Sequence, residues 1–270
     1  MTPRRTSRGP LTVIADGVEQ AGGMLVLLAQ AGAQLGPPKH FGRAWKRFTE
    51  QLYTQIVKNL VVVGTVGVFT GLVLALQLGE ELRHYGGEAL LGKAVTATLC
   101  REMGPFITAI ILAATAGGSI AAELGTMRVS EEIDALELMN IDPVSFLVTP
   151  RIVALVFAAV LLTVFVDCVG VLGGAVVASS HFGVRYHDYF SAARETLTSA
   201  SIAWVLPKDI YTGLAKAAVF GVLIGALGCG SGLTARGGAL GVGKAVRTAV
   251  VASVVTVLIV GYILTYFFYA

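Results

Sequence analysis

Charged side chains set into apolar sequence are the residues of this chain placed to do chemistry. Between Lys93 and Glu123 the only charges are Arg101 and Glu102, at the head of a long apolar stretch. Lys216 and Asp167 stand in comparable settings. A charge in or beside an apolar span is costly and marks a functional site by default. The alternative is that each snorkels its polar head to the interface. Neighbours i and i+1 diverge on a helix, so Arg101 and Glu102 need not pair with each other. The second charged group is ELGTMRVSEEIDALELMNID (123–142), where Glu123, Glu131, Glu132, Asp134, Glu137 and Asp142 face a single base, Arg128. Ser130 is placed to N-cap a helix whose first turn carries Glu131 and Glu132, favourable for the helix dipole. Val129, Ile133 and Leu136 share one face of it. A short acidic amphipathic helix of this kind suits docking into a partner's groove, or stands as a solvated loop helix.

Enzymatic chemistry finds no support. There is no GxSxG, HExxH or GxxxxGK[ST]. A reaction inside apolar spans would need a nucleophile and base facing each other, and no such pair is legible. The expectation is a chain that is not an enzyme and holds no cofactor. ATP, if it drives anything here, is bound by a separate subunit. Cys100, Cys168 and Cys229 are far apart in apolar sequence and read as small buried hydrophobes. His181, His187 and Asp188 are a weak metal grouping against an ordinary polar loop. The basic residues are scattered, which excludes nucleic acid as a partner.

The elements that must carry these residues follow from composition. The 270 residues are 55% hydrophobic and 14% charged, with mean hydropathy +0.75. A soluble domain carries roughly 25% charged residues, so a soluble enzyme, a disordered chain and a disulfide scaffold are excluded. Five stretches are long enough to span a bilayer: Leu60–Leu78, Met103–Ala122, Ile152–Ser180, Ala217–Ala235 and Thr248–Ala270. At 1.5 Å per residue, 19 residues reach about 28 Å, close to the hydrocarbon thickness. The third stretch, interrupted by Asp167, is one long helix projecting past the membrane, since halves of it would be too short to span.

Lys and Arg number 13 on the side of the first segment and the 123–151 and 236–247 loops, against 6 on the other. The N-terminus is therefore expected in the cytoplasm and the C-terminus outside. Residues 1–59 form a separate N-terminal segment and 60–270 the span domain. The N-terminus does not read as a cleavable signal, because Asp16 and Glu19 interrupt it. In His40–Leu60, Phe41, Trp45, Phe48, Leu52 and Ile56 recur at helical steps, with Lys39, Arg43, Lys46 and Arg47 nearby. This is an amphipathic helix suited to the headgroup layer, or one packed on the bundle itself. The fold class is thus an all-α integral membrane protein: five transmembrane helices plus an N-terminal amphipathic interfacial helix.

Helices in lipid associate through close backbone approach. Ala113, Gly117, Ala121 and Gly125 form one small-residue row, with Ala114, Gly118 and Ala122 beside it. Gly67–Gly71, Gly170–Gly174, Gly221–Gly225 and Gly228–Gly232 make GxxxG pairs. These serve ordinary bundle packing, or a seam able to slide.

The run Arg101-Glu102-Met103-Gly104-Pro105, followed by AGGSIAAELGTMRVSEEIDALELMNIDPVSFLVTPR (116–151), resembles the MlaE/YrbE family of ABC-transporter permeases. QLYTQIVKNLVVVGTVGVFTGLVLALQ (51–77) and, more loosely, KAAVFGVLIGALGC (216–229) extend the resemblance over about residues 40–270. The resemblance implies a homodimeric permease of a bacterial inner membrane. Cytoplasmic ABC ATPase subunits would dock on a coupling helix at about Glu123–Met139. A periplasmic MCE protein would meet the outer face, with a STAS-domain subunit in some systems. Membrane phospholipid would sit in a cavity near Arg101, Glu102, Tyr85 and Lys216. Glu123, Arg128, Glu131, Glu132, Asp134 and Glu137 would couple to the ATPase. Some members carry an Asp where Gly261 stands, so a polar role at that position is not expected here.

Taking a two-chain lipid into water costs on the order of 25 kcal/mol, at ~0.8 kcal/mol per CH₂. A lipid carrier therefore needs an openable apolar pocket, a few headgroup contacts and a link to a motor. A secondary transporter of a hydrophobic substrate is the rival, weakened by the absence of a visible internal repeat.

Overall fold

The structure, a computed structural model, describes residues 41–198 and 208–269, with side chains from Phe48 onward. Among the described residues every element is helical. In chain order these are α1 (Phe41–His84), α2 (Glu88–Val129), α3 (Glu132–Leu138), α4 (Thr149–Phe182), α5 (Tyr186–Thr198), α6 (Lys208–Leu233) and α7 (Gly238–Tyr269). Five are long and apolar enough to cross a membrane: α1, α2, α4 with the turn before it, α6 and α7.

The five expected spans are present, each longer than its apolar stretch. The first is the largest departure. The basic amphipathic segment and the span form one continuous helix, which passes residues 59 and 60 without a break. Residues 1–40 and the side chains of 41–47 lie outside the described residues, and with them most of the amphipathic basic face. Of the apolar stripe that is described, Phe48 meets Phe157 of α4 edge-on at 5.6 Å, and Ile56 packs on the core. The second span starts well before Met103, because Glu88–Leu90 begins a helix that continues through Arg101. Arg101 and Glu102 thus lie within α2 rather than at its edge. The third span is a single helix of 34 residues, about 51 Å long. Gly183 ends it in the left-handed region, φ 66°, which costs glycine little.

Small residues set the packing. A Cβ on Gly71 would collide with the carbonyl of Gly170, and one on Gly174 would lie 3.5 Å from the carbonyl of Gly71. The Gly67–Gly71 and Gly170–Gly174 pairs therefore face each other between α1 and α4. On the other flank a Cβ on Gly228 would lie 3.0 Å from the Gly117 carbonyl, and one on Gly232 3.0 Å from that of Ala121. The Ala113–Gly117–Ala121–Gly125 row is buried and joins α2 to α6 and α7. One core is built from Leu112, Ile120, Leu155, Leu162, Phe220 and Ile224, and a second from Leu91, Val95, Leu99, Phe182 and Tyr189. Cys100 and Cys229 are buried as expected, whereas Cys168 is exposed.

The coupling segment differs in detail from its expected form. Glu123–Val129 is the end of α2, and only Glu132–Leu138 forms the separate helix. Ser130 closes α2 and does not cap α3 with its side chain. Glu131 makes the corner, with φ 60°. The acidic first turn of α3 was legible, but the corner comes one residue later than Ser130 because α2 needs it to finish its last turn.

Candidate functional site

Pro105 begins the local story. It has no N–H to give the carbonyl of Arg101, four residues earlier. The turn Leu99–Met103 is a π-helix, a wider turn that commonly marks function. Lys216 of α6 reaches across and donates to that Arg101 carbonyl at 3.1 Å. The same ammonium donates to Glu102 Oε1 at 2.5 Å and to Thr265 Oγ1 of α7 at 2.9 Å. Thr265 Oγ1 is itself 3.0 Å from Glu102 Oε1. Lys216 is 1% exposed. An ammonium so buried is tolerable only if paired and fully hydrogen-bonded.

A second ion pair lies alongside. Arg101 Nη2 donates to Asp209 Oδ2 at 2.9 Å, and Nε lies 2.7 Å from Oδ1. Asp209 is buried, while the Arg101 side chain stays 43% exposed. Arg101 and Glu102 do diverge, each finding its own partner on α6. Neither merely snorkels.

Beneath the Glu102–Lys216 pair is a cavity of about 300 Å³ between α2, α6 and α7. Met103, Phe106, Phe220, Leu258 and Tyr262 form its apolar walls, with Glu102, Lys216 and Thr265 as its polar part. Gly261 also lines it, and a Cβ there would lie 3.3 Å from the Phe220 ring. Gly261 leaves space beside Phe220, and the polar contact on α7 comes from Thr265 one turn later. Arg101 and Asp209 do not line the cavity. The arrangement suits an amphipathic ligand: apolar walls for a chain, the Glu102–Lys216 pair at one side for a polar head.

Of the four expected cavity residues, Arg101, Glu102 and Lys216 are brought together. Tyr85 is not among them. It lies in the turn after α1, 81% exposed, and does not line the cavity. Asp209, Thr265 and Tyr269 complete the cluster and were not anticipated. A signal existed: Asp209, Thr212 and Lys216 fall on one face of α6, and Gly261, Thr265 and Tyr269 recur at four-residue steps on α7. Asp167 lies inside α4. Its carboxyl occupies the space that a Cβ on Gly104 would fill. His181, His187 and Asp188 do not form a ligand set. The Asp188 oxygens meet Arg185 at 2.9 Å and His187 at 3.4 Å, and His181 packs edge-on against Phe182. The hydrogen bond from Arg185 holds the Asp188 carboxyl below its ordinary range.

At the other end of α2, about 40 Å along the helix from Glu102, the acidic residues divide into two groups. Glu123 is tied to Arg151 at 3.2 Å, which joins α2 to the start of α4. Arg128 pairs with Asp134 across the α2–α3 corner. Glu131, Glu132 and Glu137 stay exposed. Beside them Leu138 and Met139 are 89% and 61% exposed, an apolar tip on a charged helix.

Comparison with known proteins gives the family. The family model described as Permease MlaE matches residues 48–267. A protein of Synechocystis sp. named "Probable ABC transporter permease protein" is 34% identical over 83% of each chain. One of the same name from Rickettsia bellii is 36% identical, over 90% of this chain and 89% of its own. The intermembrane phospholipid transport system permease protein MlaE of Haemophilus influenzae is 31% identical over 87% of each. With the family model covering both the cavity and the α2–α3 corner, the chain belongs to the MlaE permease family.

Proposed function

We propose that this chain is the permease subunit of an ATP-driven phospholipid transporter that moves lipid between the inner membrane and an MCE-protein conduit, contributing to lipid homeostasis of the outer membrane. The observation that carries the reading is an apolar cavity with the Glu102–Lys216 ion pair in its wall, in a membrane-spanning chain of this family. The ion pair offers headgroup contacts and the cavity accepts an acyl chain. Phospholipid is the cargo named for the Haemophilus relative.

A cavity of about 300 Å³ is at the small end of ligand sites. One copy therefore does not enclose a two-chain lipid, which favours a homodimer with the lipid between subunits. The exposed residues of α3, with Leu138 and Met139, supply a docking face for a cytoplasmic ABC ATPase. The Arg128–Asp134 pair holds the corner through which its movement reaches α2. With α3 on the cytoplasmic side, the N-terminus would lie in the cytoplasm and the C-terminus in the periplasm, the orientation expected from the Lys and Arg bias. An MCE protein would meet the periplasmic face, and a STAS-domain subunit the cytoplasmic one.

Gentle purification from the native membrane, followed by mass spectrometry, tests the reading. Expected are an ATPase, an MCE protein and phospholipid. Glu132→Lys with Glu137→Lys should lower ATPase recovery at least tenfold, about the effect of 1.4 kcal/mol. Undiminished recovery would remove the docking role from α3.

A further inference from the structure

α7 is held in two different ways along its length. Its buried residues, Ala245, Ala249, Ser253 and Val257, recur every four positions. None of residues 258–269 is buried. Of the five spans, α7 has the least buried apolar stretch, 11% against 28–56%. Its less-buried half borders the cavity through Leu258, Gly261, Tyr262 and Thr265.

That half is tied back to the bundle through Thr265, which meets Lys216 and Glu102, and at its end through Tyr269. The Tyr269 hydroxyl lies 2.8 Å from Thr212 Oγ1 and 3.4 Å from Asp209 Oδ1, both on the first turns of α6. Three cations surround the ring. Lys208 Nζ is 5.1 Å from its centroid, Arg101 Cζ 5.4 Å and Lys216 Nζ 5.7 Å. Cations at such range are attracted to the ring. Tyr269 thus meets members of both ion pairs at once, and joins them to the end of α7.

We propose that Tyr269 is a positioning residue for transport: it clasps the end of α7 to α6, closes the cavity on that side, and opens it when released. The inference rests on the lipid-permease reading for what passes through the opening. The physical case is the character of the contacts. Interdigitated apolar side chains make a core that does not yield locally. A segment with little buried apolar contact opens at much lower cost than its neighbours. Val257 is the last fully buried residue of α7; beyond it Val260 and Leu264 touch the core only partly buried, so that segment separates from it at lower cost than the half before it. The clasp is built of hydrogen bonds and cation–π contacts, which break and remake singly.

Pulsed electron paramagnetic resonance on the full transporter in lipid nanodiscs tests this. Spin labels at Tyr211→Cys and Tyr266→Cys, both exposed positions, report the separation of α6 and α7. Cys168→Ala removes the exposed native thiol, and dilution with unlabelled chain removes signals between copies. The parent should give one narrow distance. Tyr269→Phe keeps the ring and loses the hydroxyl with its contacts to Thr212 and Asp209, and should raise a longer-distance population at least fivefold, about the effect of one hydrogen bond of ordinary net strength. Thr212→Val leaves the Asp209 contact and should raise it less. Tyr269→Leu, losing ring and hydroxyl, should raise it further. An unchanged distribution in monodisperse Tyr269→Leu protein would overturn the clasp. If that variant does not fold, unchanged distributions in the other two decide against it equally. Lipid co-purification is scored on the parent separately. Its absence would sink the lipid reading while the distances still judge the clasp.

Discussion

Lys216 has three N–H donors, and three acceptors from two other helices surround it: the Arg101 carbonyl, Glu102 and Thr265. The pair is unequal, since Glu102 is 38% exposed and Lys216 is 1% exposed. Removing the carboxylate strands a buried ammonium. Removing the ammonium leaves a carboxylate that still reaches a polar edge. Glu102→Gln should therefore cost about 3–5 kcal/mol of stability, and Lys216→Met less. The double variant should recover much of the Glu102→Gln loss, because neither charge is left unpaired. Thermal melts of the three purified variants check this, and additive losses would mean that the two groups do not act as a pair. Arg101 and Glu102 were legible as site residues because charge is rare in apolar sequence. Lys216 was legible for the same reason, but Asp209 and Thr265 were not, because they lie more than 100 and 160 positions away from Arg101 and Glu102. Only helix packing makes them neighbours.

At the scale of elements, glycines decide which helices touch. Gly71→Ala would drive a methyl group into the Gly170 carbonyl. It should destabilise the chain by about 1–3 kcal/mol through overpacking. Gly243 in α7 has nothing within 4 Å of where its Cβ would stand. Gly243→Ala should be neutral or stabilise by about 0.5–1 kcal/mol, the usual helical penalty of glycine. A matched pair of melting curves separates the two, and an equal response would deny the α1–α4 seam its role. The GxxxG pairs were visible in the sequence, but which pair faces which was not. The periodicity that marks a small-residue face carries no label for its partner. Corner residues belong to this scale too. Arg128→Ala frees Asp134 at the α2–α3 corner. Lipid binding should be retained while ATP-driven transfer in proteoliposomes falls severalfold. Full transfer by this variant would show that the corner transmits nothing.

For the whole molecule, the proposed function has a second copy and lipid cover the little-buried faces of α1 and α7. Native mass spectrometry of the chain in mild detergent should find two copies with bound phospholipid. A strictly single copy, retaining lipid, would place the entire site within one chain.

Composition and hydropathy by themselves determined that this is an all-helical membrane protein with five spans, because a bilayer demands about 20 apolar residues per crossing. The long specific run around Arg101 and 116–151 determined the family. Both are local properties, written in residue order. The tertiary structure alone decided that Arg101 pairs with Asp209, that Lys216 closes the gap left by Pro105, and that Tyr85 stands apart from the cavity. It also decided that Ser130 ends one helix rather than starting the next. These outcomes depend on which faces of separate helices meet, and that is settled by backbone approach and by the need to neutralise buried charge. Neither is encoded at any one position of the chain.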